Sequence, residues 1–313
     1  MITLYTNAVV YTGMLPFAEA FAVQDDAFIF AGSAEEGAAL GADQTVDLDG
    51  AFVCAGFNDS HMHLLSYGLS LSMAPLSEHT NSLKSLVDCL KQFAAAHPVS
   101  PGQWIRGRGW NQDFFSDVHR LPLRSDLDEV STEHPVVITR CCGHCLVVNS
   151  KALEICGITP DTAVPAGGTV GKTKGELNGI FYDEAMDLIE RHIPAPDREQ
   201  VKEMILRSCS ILNRYGVTSS QTDDYCVFES VPWHVVNSIY RELAEEGRLT
   251  VRICEQCNFS DLPSLKEFVS AGNMTGSGDR MFRIGPLKLI GDGSLGSRTA
   301  YLSRPYADDP STD

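Results

Sequence analysis

From Asp197 onward the chain repeats one pattern, and that pattern limits what it can fold into. Asp197 can cap a helix whose apolar positions include Val201, Ile205, Leu212 and Tyr215. Gly216 ends that helix, and residues 217–221 follow as a strand-like run. A second helix over about 233–246 stops at Gly247 and feeds a strand at 249–254. A third, over about 262–271, feeds two short strand-like runs at 281–284 and 286–290. Repeated helix–strand units of this kind build an α/β protein with a parallel sheet, open or closed into a barrel. In such folds functional groups gather at the carboxyl ends of the strands.

The first fifty residues differ. Residues 2–12, 20–32 and 45–57 are β-branched or alternating, with Asp25-Asp26 and Asp49-Gly50 as turns, which predicts part of a small β-domain. Between about 70 and 195 the pattern is less regular. A helix is expected over 82–96, with Leu83, Leu86, Val87, Leu90 and Phe93 on one stripe and His97-Pro98 ending it. A strand is expected at 135–140, a helix start at Asn149, and a flexible loop around Gly167, Gly168 and Gly171.

Length and charge exclude some functions. The 313 residues suffice for one large α/β domain and a smaller one. The formal net charge of -17 argues against nucleic acid and against an anionic membrane surface. No basic segment precedes an apolar stretch at the start, and no apolar run is long enough to span a bilayer. Ten cysteines in such a chain are expected as reduced thiols in the cytoplasm.

Two places carry chemistry. His61 and His63 follow the apolar run 51–55 and Gly56, where the glycine is expected to let the backbone turn. Residues two apart on a strand face the same side, so two imidazoles at a strand's end can grip one divalent metal, with Asp59 as an orienting acid. Lys288 lies among apolar neighbours ahead of Gly291-Asp292-Gly293-Ser294. Desolvation would neutralise a buried amine, which can then react with carbon dioxide to give a metal-bridging carbamate. A pairing of Lys288 with Asp292, or a snorkelling side chain, stays open at this point.

Five ordered segments together resemble one family. They are Gly-Phe-Asn-Asp-Ser-His-Met-His at 56–63; residues 140–153 with Gly143-His144 and Asn149-Ser150-Lys151; Gly179 to Asp183; Gly216-Val217-Thr218; and residues 288–300 followed by Pro305-Tyr306. The chain resembles the amidohydrolase superfamily over essentially its whole length, and within it the family 3 branch that includes N-substituted formamide deformylases. The resemblance implies a (β/α)8 TIM barrel beside a β-sandwich. Residues 1–55 would be the N-terminal part of the sandwich and 56–313 the first half of the barrel, about strands 1–4. Residues 70–195 would be an insertion, or lid, between barrel strands 1 and 2.

The same resemblance implies metal-dependent hydrolysis of carbon–nitrogen bonds other than peptide bonds, with one or two divalent ions, zinc by default. His61, His63 and Lys288 would be metal ligands, with Lys288 as the bridging carbamate. His144 would face a small-molecule substrate. Asp183 is a candidate for the same contact, and Arg298, after a glycine-rich turn, can bind a substrate oxygen or a backbone carbonyl. The family's two later histidines and its general-base aspartate have no counterpart before Asp313, so a fragment of a longer protein, inactive alone, is expected. A catalytically silent binding or regulatory protein on the same fold, and a single-metal deaminase, are the alternatives. A homodimer stays open.

Other motifs point to less. Cys141-Cys142-Gly143-His144-Cys145 lacks the spacing and the second cluster of a structural zinc site. Cys254 and Cys257 are expected as buried thiols, and Asp183-Glu184 either caps a helix or joins the site. His119, His134, His192 and His234 are expected at the surface.

Overall fold

The computed structural model describes residues 1–97, 102–228, 230–291 and 301–307. Contacts divide the chain into two compact units, Met1–Asp59 with Gly216–Ser219, and Ser60–Tyr215 with Ser220–Asp313.

The first unit is built on strands β1 (Ile2–Tyr11), β2 (Ala20–Gln24) and β3 (Ala27–Gly32), helix α1 (Ala34–Ala38) and strand β4 (Gln44–Cys54). The sheet order is β3-β2-β1-β4, with β1 antiparallel to β2 and parallel to β4. Asp25-Asp26 turns the chain as expected. Asp49-Gly50 does not reverse it: both residues have positive φ, 51° and 75°, inside the continuous strand β4. The β1–β4 register shifts there, and the Asp47 carboxylate fastens the bulge by accepting from Asn7 Nδ2 at 2.7 Å and from the Asp49 amide at 2.8 Å.

Strand β5 (Phe57–Met62) leads into helix α2 (Leu64–Leu71). The next stretch carries β6 (Ala74–Pro75), α3 (Leu83–Ala96), β7 (Ile105–Trp110), α4 (Arg124–Asp128), β8 (Val136–Arg140), β9 (Cys145–Val148), α5 (Ser150–Cys156), β10 (Thr169–Thr173), β11 (Glu176–Tyr182) and α6 (Asp187–Glu190). Far from irregular, it forms a six-stranded sheet in the order β10-β11-β9-β8-β7-β6. Both faces are covered. Val136, Ile138, Cys145, Val147 and Ile180 enter one core. Val137, Leu146, Val148 and Phe181, their neighbours in sequence, enter the other. The strand expected at 135–140 is β8. Burial on two sides erases the alternation that marks a half-buried strand, which is why the stretch reads as less regular in sequence. The expected helix over 82–96 is α3, with the Ser82 side chain accepting from the Ser85 amide at its start.

The helix–strand repeat forms as expected. Helix α7 (Arg198–Arg214), strand β12 (Val217–Thr222), helix α8 (Trp233–Glu245), strand β13 (Arg252–Cys257), helix α9 (Leu262–Ser270) and strand β14 (Phe282–Leu287) follow in turn. Asp197 caps α7 through a capping box with Gln200. Tyr215, placed on that helix's apolar stripe by its spacing, is 74% exposed at the C-cap. The sheet order β14-β13-β12-β5 follows chain order, and β13 and β14 run parallel. Two expected strands at 281–284 and 286–290 are one, and it ends at Leu287. Leu289 and Ile290 are exposed, because no strand among the described residues packs on the outer side of β14. Among those residues no helix is long and apolar enough to cross a membrane.

Two glycines permit close approaches here. A Cβ on Gly56 would stand 2.2 Å from the Thr218 methyl, beside the Phe57 amide that donates to Gly216 O at 2.8 Å. Proximity, more than turning, requires that glycine. A Cβ on Gly68 in α2 would stand 2.4 Å from Met204 O in α7. Gly68→Ala gains up to about 1 kcal/mol of helix propensity but forces the two helices apart. We expect a net loss of about 1–3 kcal/mol, read as a lower denaturation midpoint in urea; an unchanged midpoint would show that α2 shifts freely.

Candidate metal centre

The ends of β5, β12 and β13 bring the polar groups together. His63 is the N-cap of α2, yet its side chain makes no capping hydrogen bond. Strand β12 supplies the cap instead. Thr222 Oγ1 accepts from the Leu64 amide at 2.8 Å, and Asp224 Oδ1 accepts from the Leu65 amide at 3.0 Å. Two orphan amides of the helix start are thereby satisfied, and the His63 imidazole is left to face Asp223.

His63 Nδ1 pairs with Asp223 Oδ1, and Lys288 Nζ pairs with Asp223 Oδ2. Asp223 is nearly inaccessible, whereas the His63 side chain is half-exposed. His61 Nδ1 lies 3.0 Å from Gln256 Oε1, and Gln256 Nε2 donates to Gln221 Oε1 at 2.9 Å. With Gln256 oriented this way its oxygen accepts from His61, and the Asp223 carboxylate accepts from His63. In that arrangement each ring donates from Nδ1, which suits its Nε2 to an ion. Carboxylate and amide partners of this type orient histidine ligands in metal sites.

Ligand atoms of His61, His63 and Asp223 lie within 4.8 Å of one another, and the two rings are 5.1 Å apart at 77°. Two imidazoles and a carboxylate at that spacing suit zinc and similar divalent ions. Among the described residues it is the one cluster of this kind.

Beneath lies a buried acidic pair. Asp224 accepts from Leu65, Thr222 and Tyr240, and its own amide donates to Glu255 Oε1 at 2.7 Å. Glu255 Oε2 is buried with no partner. Burial raises the Glu255 carboxyl well above its ordinary range, and the neighbouring Asp224 charge adds to that. Burial also raises Asp224, against the hydrogen bonds from Tyr240, Leu65 and Thr222.

The expected residues divide. His61 and His63 converge as expected. Lys288 lies just past β14, with its amide donating to Cys257 O at 2.8 Å. Its side chain is partly exposed and pairs with an acid, Asp223. Asp292 and Arg298 lie outside the described residues. His144 and Asp183 form a separate exposed pair, Nδ1 to Oδ1 3.2 Å. Asp183 opens a short 3-10 turn at positive φ, 49°. In the 141–145 loop Cys145 points into the core while Cys141 and Cys142 are exposed, so the three thiols do not converge. On β13, Ile253, Glu255 and Cys257 share the buried face and Cys254 and Gln256 the other, so the two cysteines point apart.

Asp223, Asp224, Gln221, Gln256 and Glu255 were not singled out from sequence. The available signal was Thr222-Asp223-Asp224 at the carboxyl end of a strand in a helix–strand repeat, and a glutamate alternating with Ile253 and Cys257 on one face of a strand.

Comparison with known proteins adds relatives. The model of the amidohydrolase family matches residues 44–313. YtcJ of Bacillus subtilis (strain 168), an amidohydrolase by name, is 31% identical over 86% of this chain and 49% of its own. Protein LONG AFTER FAR-RED 3 of Arabidopsis thaliana is 29% identical over 98% of this chain and 53% of its own. The crystal structure of an uncharacterized metal-dependent hydrolase from Pyrococcus horikoshii OT3 superposes with a TM-score of 0.74 at 29% identity, covering 100% of this chain and 59% of that one. The chain spans about half the length of the curated relatives it matches.

The acidic pair gives a pH dependence whose sign is fixed. A carboxyl raised on folding keeps its proton in the folded state while the unfolded chain releases it near the ordinary value of 4.5. Its contribution is therefore fully present below that value and is lost as pH rises. In chelator-treated protein we expect the melting temperature to fall as pH rises above about 5, and Glu255→Gln to flatten that fall. An identical slope in the variant would count against a raised Glu255.

Proposed function

The chain belongs to the amidohydrolase family, and from that premise we propose that the protein hydrolyses carbon–nitrogen bonds other than peptide bonds, in amide or formamide-type substrates, at a divalent metal held by His61, His63 and Asp223. The convergence of those three side chains within 4.8 Å carries this reading. Relatives named as an amidohydrolase, an N-substituted formamide deformylase and a metal-dependent hydrolase support it. Zinc is the first candidate for the ion. We read β5, β12, β13 and β14 as the first four strands of a (β/α)8 barrel, with residues 70–195 as an insertion beside the barrel mouth.

When bound, the ion supplies Lewis acidity, which polarises a carbonyl and makes water more acidic. The chain's own residues do the positioning. Gln256, oriented by Gln221, holds the His61 ring; Asp223 holds the His63 ring. Asp223 also holds the Lys288 ammonium. If that pair opens and the amine loses its proton, Lys288 Nζ can add to carbon dioxide, forming an N–C bond and a carbamate with release of one further proton. The direct Lys288–Asp223 pair favours a second reading, a single-metal centre in which Lys288 stays a cation and only steadies Asp223.

Metal content and activity test this together. The full chain, dialysed against zinc and stripped of loose ions, should retain about one equivalent or more. His61→Ala with His63→Ala should lose it together with amide hydrolysis, and Gln256→Leu should weaken affinity about 10–100-fold. Full activity without metal would end the proposal. Loss of metal in Lys288→Ala would select the bridging role, and retention the single-metal one.

A further inference from the structure

A cavity of about 760 Å³ opens on one face of the six-stranded sheet, a volume suited to a small organic molecule. Arg106 and Arg108 form its floor. They occupy alternate positions of β7 and so project to the same side, beside their β8 partners Val137 and Thr139. The other side of β7 is closed, since Ile105 is in the core and a Cβ on Gly107 would stand 2.7 Å from Leu76. Leu69, Met73, Met186, Ile193 and Phe228 give the walls an apolar character.

Among the described residues neither the Arg106 nor the Arg108 side chain makes a hydrogen bond or an ion pair. Some other arginines of the chain are paired. Arg120 holds Asp126, Arg140 holds Asp113, and Arg198 holds Glu242. Two unpartnered guanidinium groups side by side repel, and half-burying one is unfavourable without an anion to meet it. Burial lowers the pKa of Arg106, with Glu190 partly offsetting it and Arg108 adding to it. Glu190 and Arg191 line the same cavity too, so its lining carries three guanidinium groups against one carboxylate. A net positive charge remains, which a carboxylate on a ligand offsets. A guanidinium fork matches that group in shape as well as charge.

We propose that this cavity binds a small molecule with an apolar body and one carboxylate, the carboxylate held by Arg106 and Arg108. Resting on the function proposed above, that molecule is the amide-type substrate. Two chain segments tie the places together. Leu69 and Met73 follow His63 through α2, and Val227 and Phe228 follow Asp223, so the segments that carry metal ligands also supply cavity walls.

The test is a binding titration of the full chain with 4-phenylbutyrate, its uncharged amide 4-phenylbutanamide, and inorganic phosphate. A chelator is present throughout, so a carboxylate held by an ion at His61 and His63 contributes nothing, and failure of the hydrolase reading leaves this result standing. We expect the acid to bind at least tenfold more tightly than the amide. Arg106→Gln with Arg108→Gln should weaken the acid about 10–100-fold and leave the amide unchanged. If the double variant does not fold, Arg108→Gln alone, at an exposed position, should show the same preference reduced. Equal binding of acid and amide, an acid preference that survives the substitutions, or phosphate binding more tightly than the acid would each overturn the proposal.

Discussion

The arrangement of the centre depends on a helix start that is capped from elsewhere. Thr222 and Asp224, at the end of one strand, accept the first amides of the helix that begins after another. Residues alternate along an extended segment, so Asp223, between those two acceptors, points the opposite way. That is where His63 and Lys288 meet it. One local pattern, Thr-Asp-Asp, thus fixes the helix with two side chains and offers the third to the site. A histidine that capped its own helix would have its ring turned back onto the backbone.

This economy has an electrostatic cost. Asp224 must be buried to reach the helix amides, and Glu255 lies against it. Two carboxyl groups without a cation between them cannot both ionise in a dry interior, so burial raises both. Tyr240 and Thr222 donate to Asp224, while one Glu255 oxygen has no partner at all. The charge therefore belongs on Asp224, which faces the helix amides, and the proton on Glu255.

Local signals in the sequence were legible because they act locally. Asn149 and Asp197 cap their helices by reaching amides three residues away, so the local sequence exposed them; Ser82, counted within its helix, caps it in the same way. His61 and His63 needed only the two-residue period of a strand. Asp223 was not legible, since its partners lie 160 and 65 positions away and nothing in its neighbourhood names them. The six-stranded sheet was legible only in part: the strand expected at 135–140 is β8, whereas β9, buried on both sides, shows no alternation. The partner of Lys288 was not legible either, since Asp223 lies 65 positions away. Leu289 and Ile290 are exposed because a strand's environment is set by the strands beside it, and among the described residues none lies there.

Asp223 is where the open chemical choice concentrates. A carboxylate has lone pairs enough for two partners, and here one oxygen serves His63 and the other Lys288. A metal ion that took Asp223 as a ligand would compete with both contacts at once. Competition with His63 is mild, because that ring keeps the lone pair of Nε2 while Nδ1 donates. Competition with Lys288 is direct, since ammonium and metal ion are both cations drawn to one buried charge. Neutralising the lysine, by loss of its proton or by its conversion to a carbamate, removes that conflict and adds oxygen donors. If Lys288 stays a cation, it holds one Asp223 oxygen, and an ion would meet Asp223 with that pair in place. On the proposed reading, the choice between ammonium and carbamate at Lys288 sets how strongly Asp223 can serve as the third ligand.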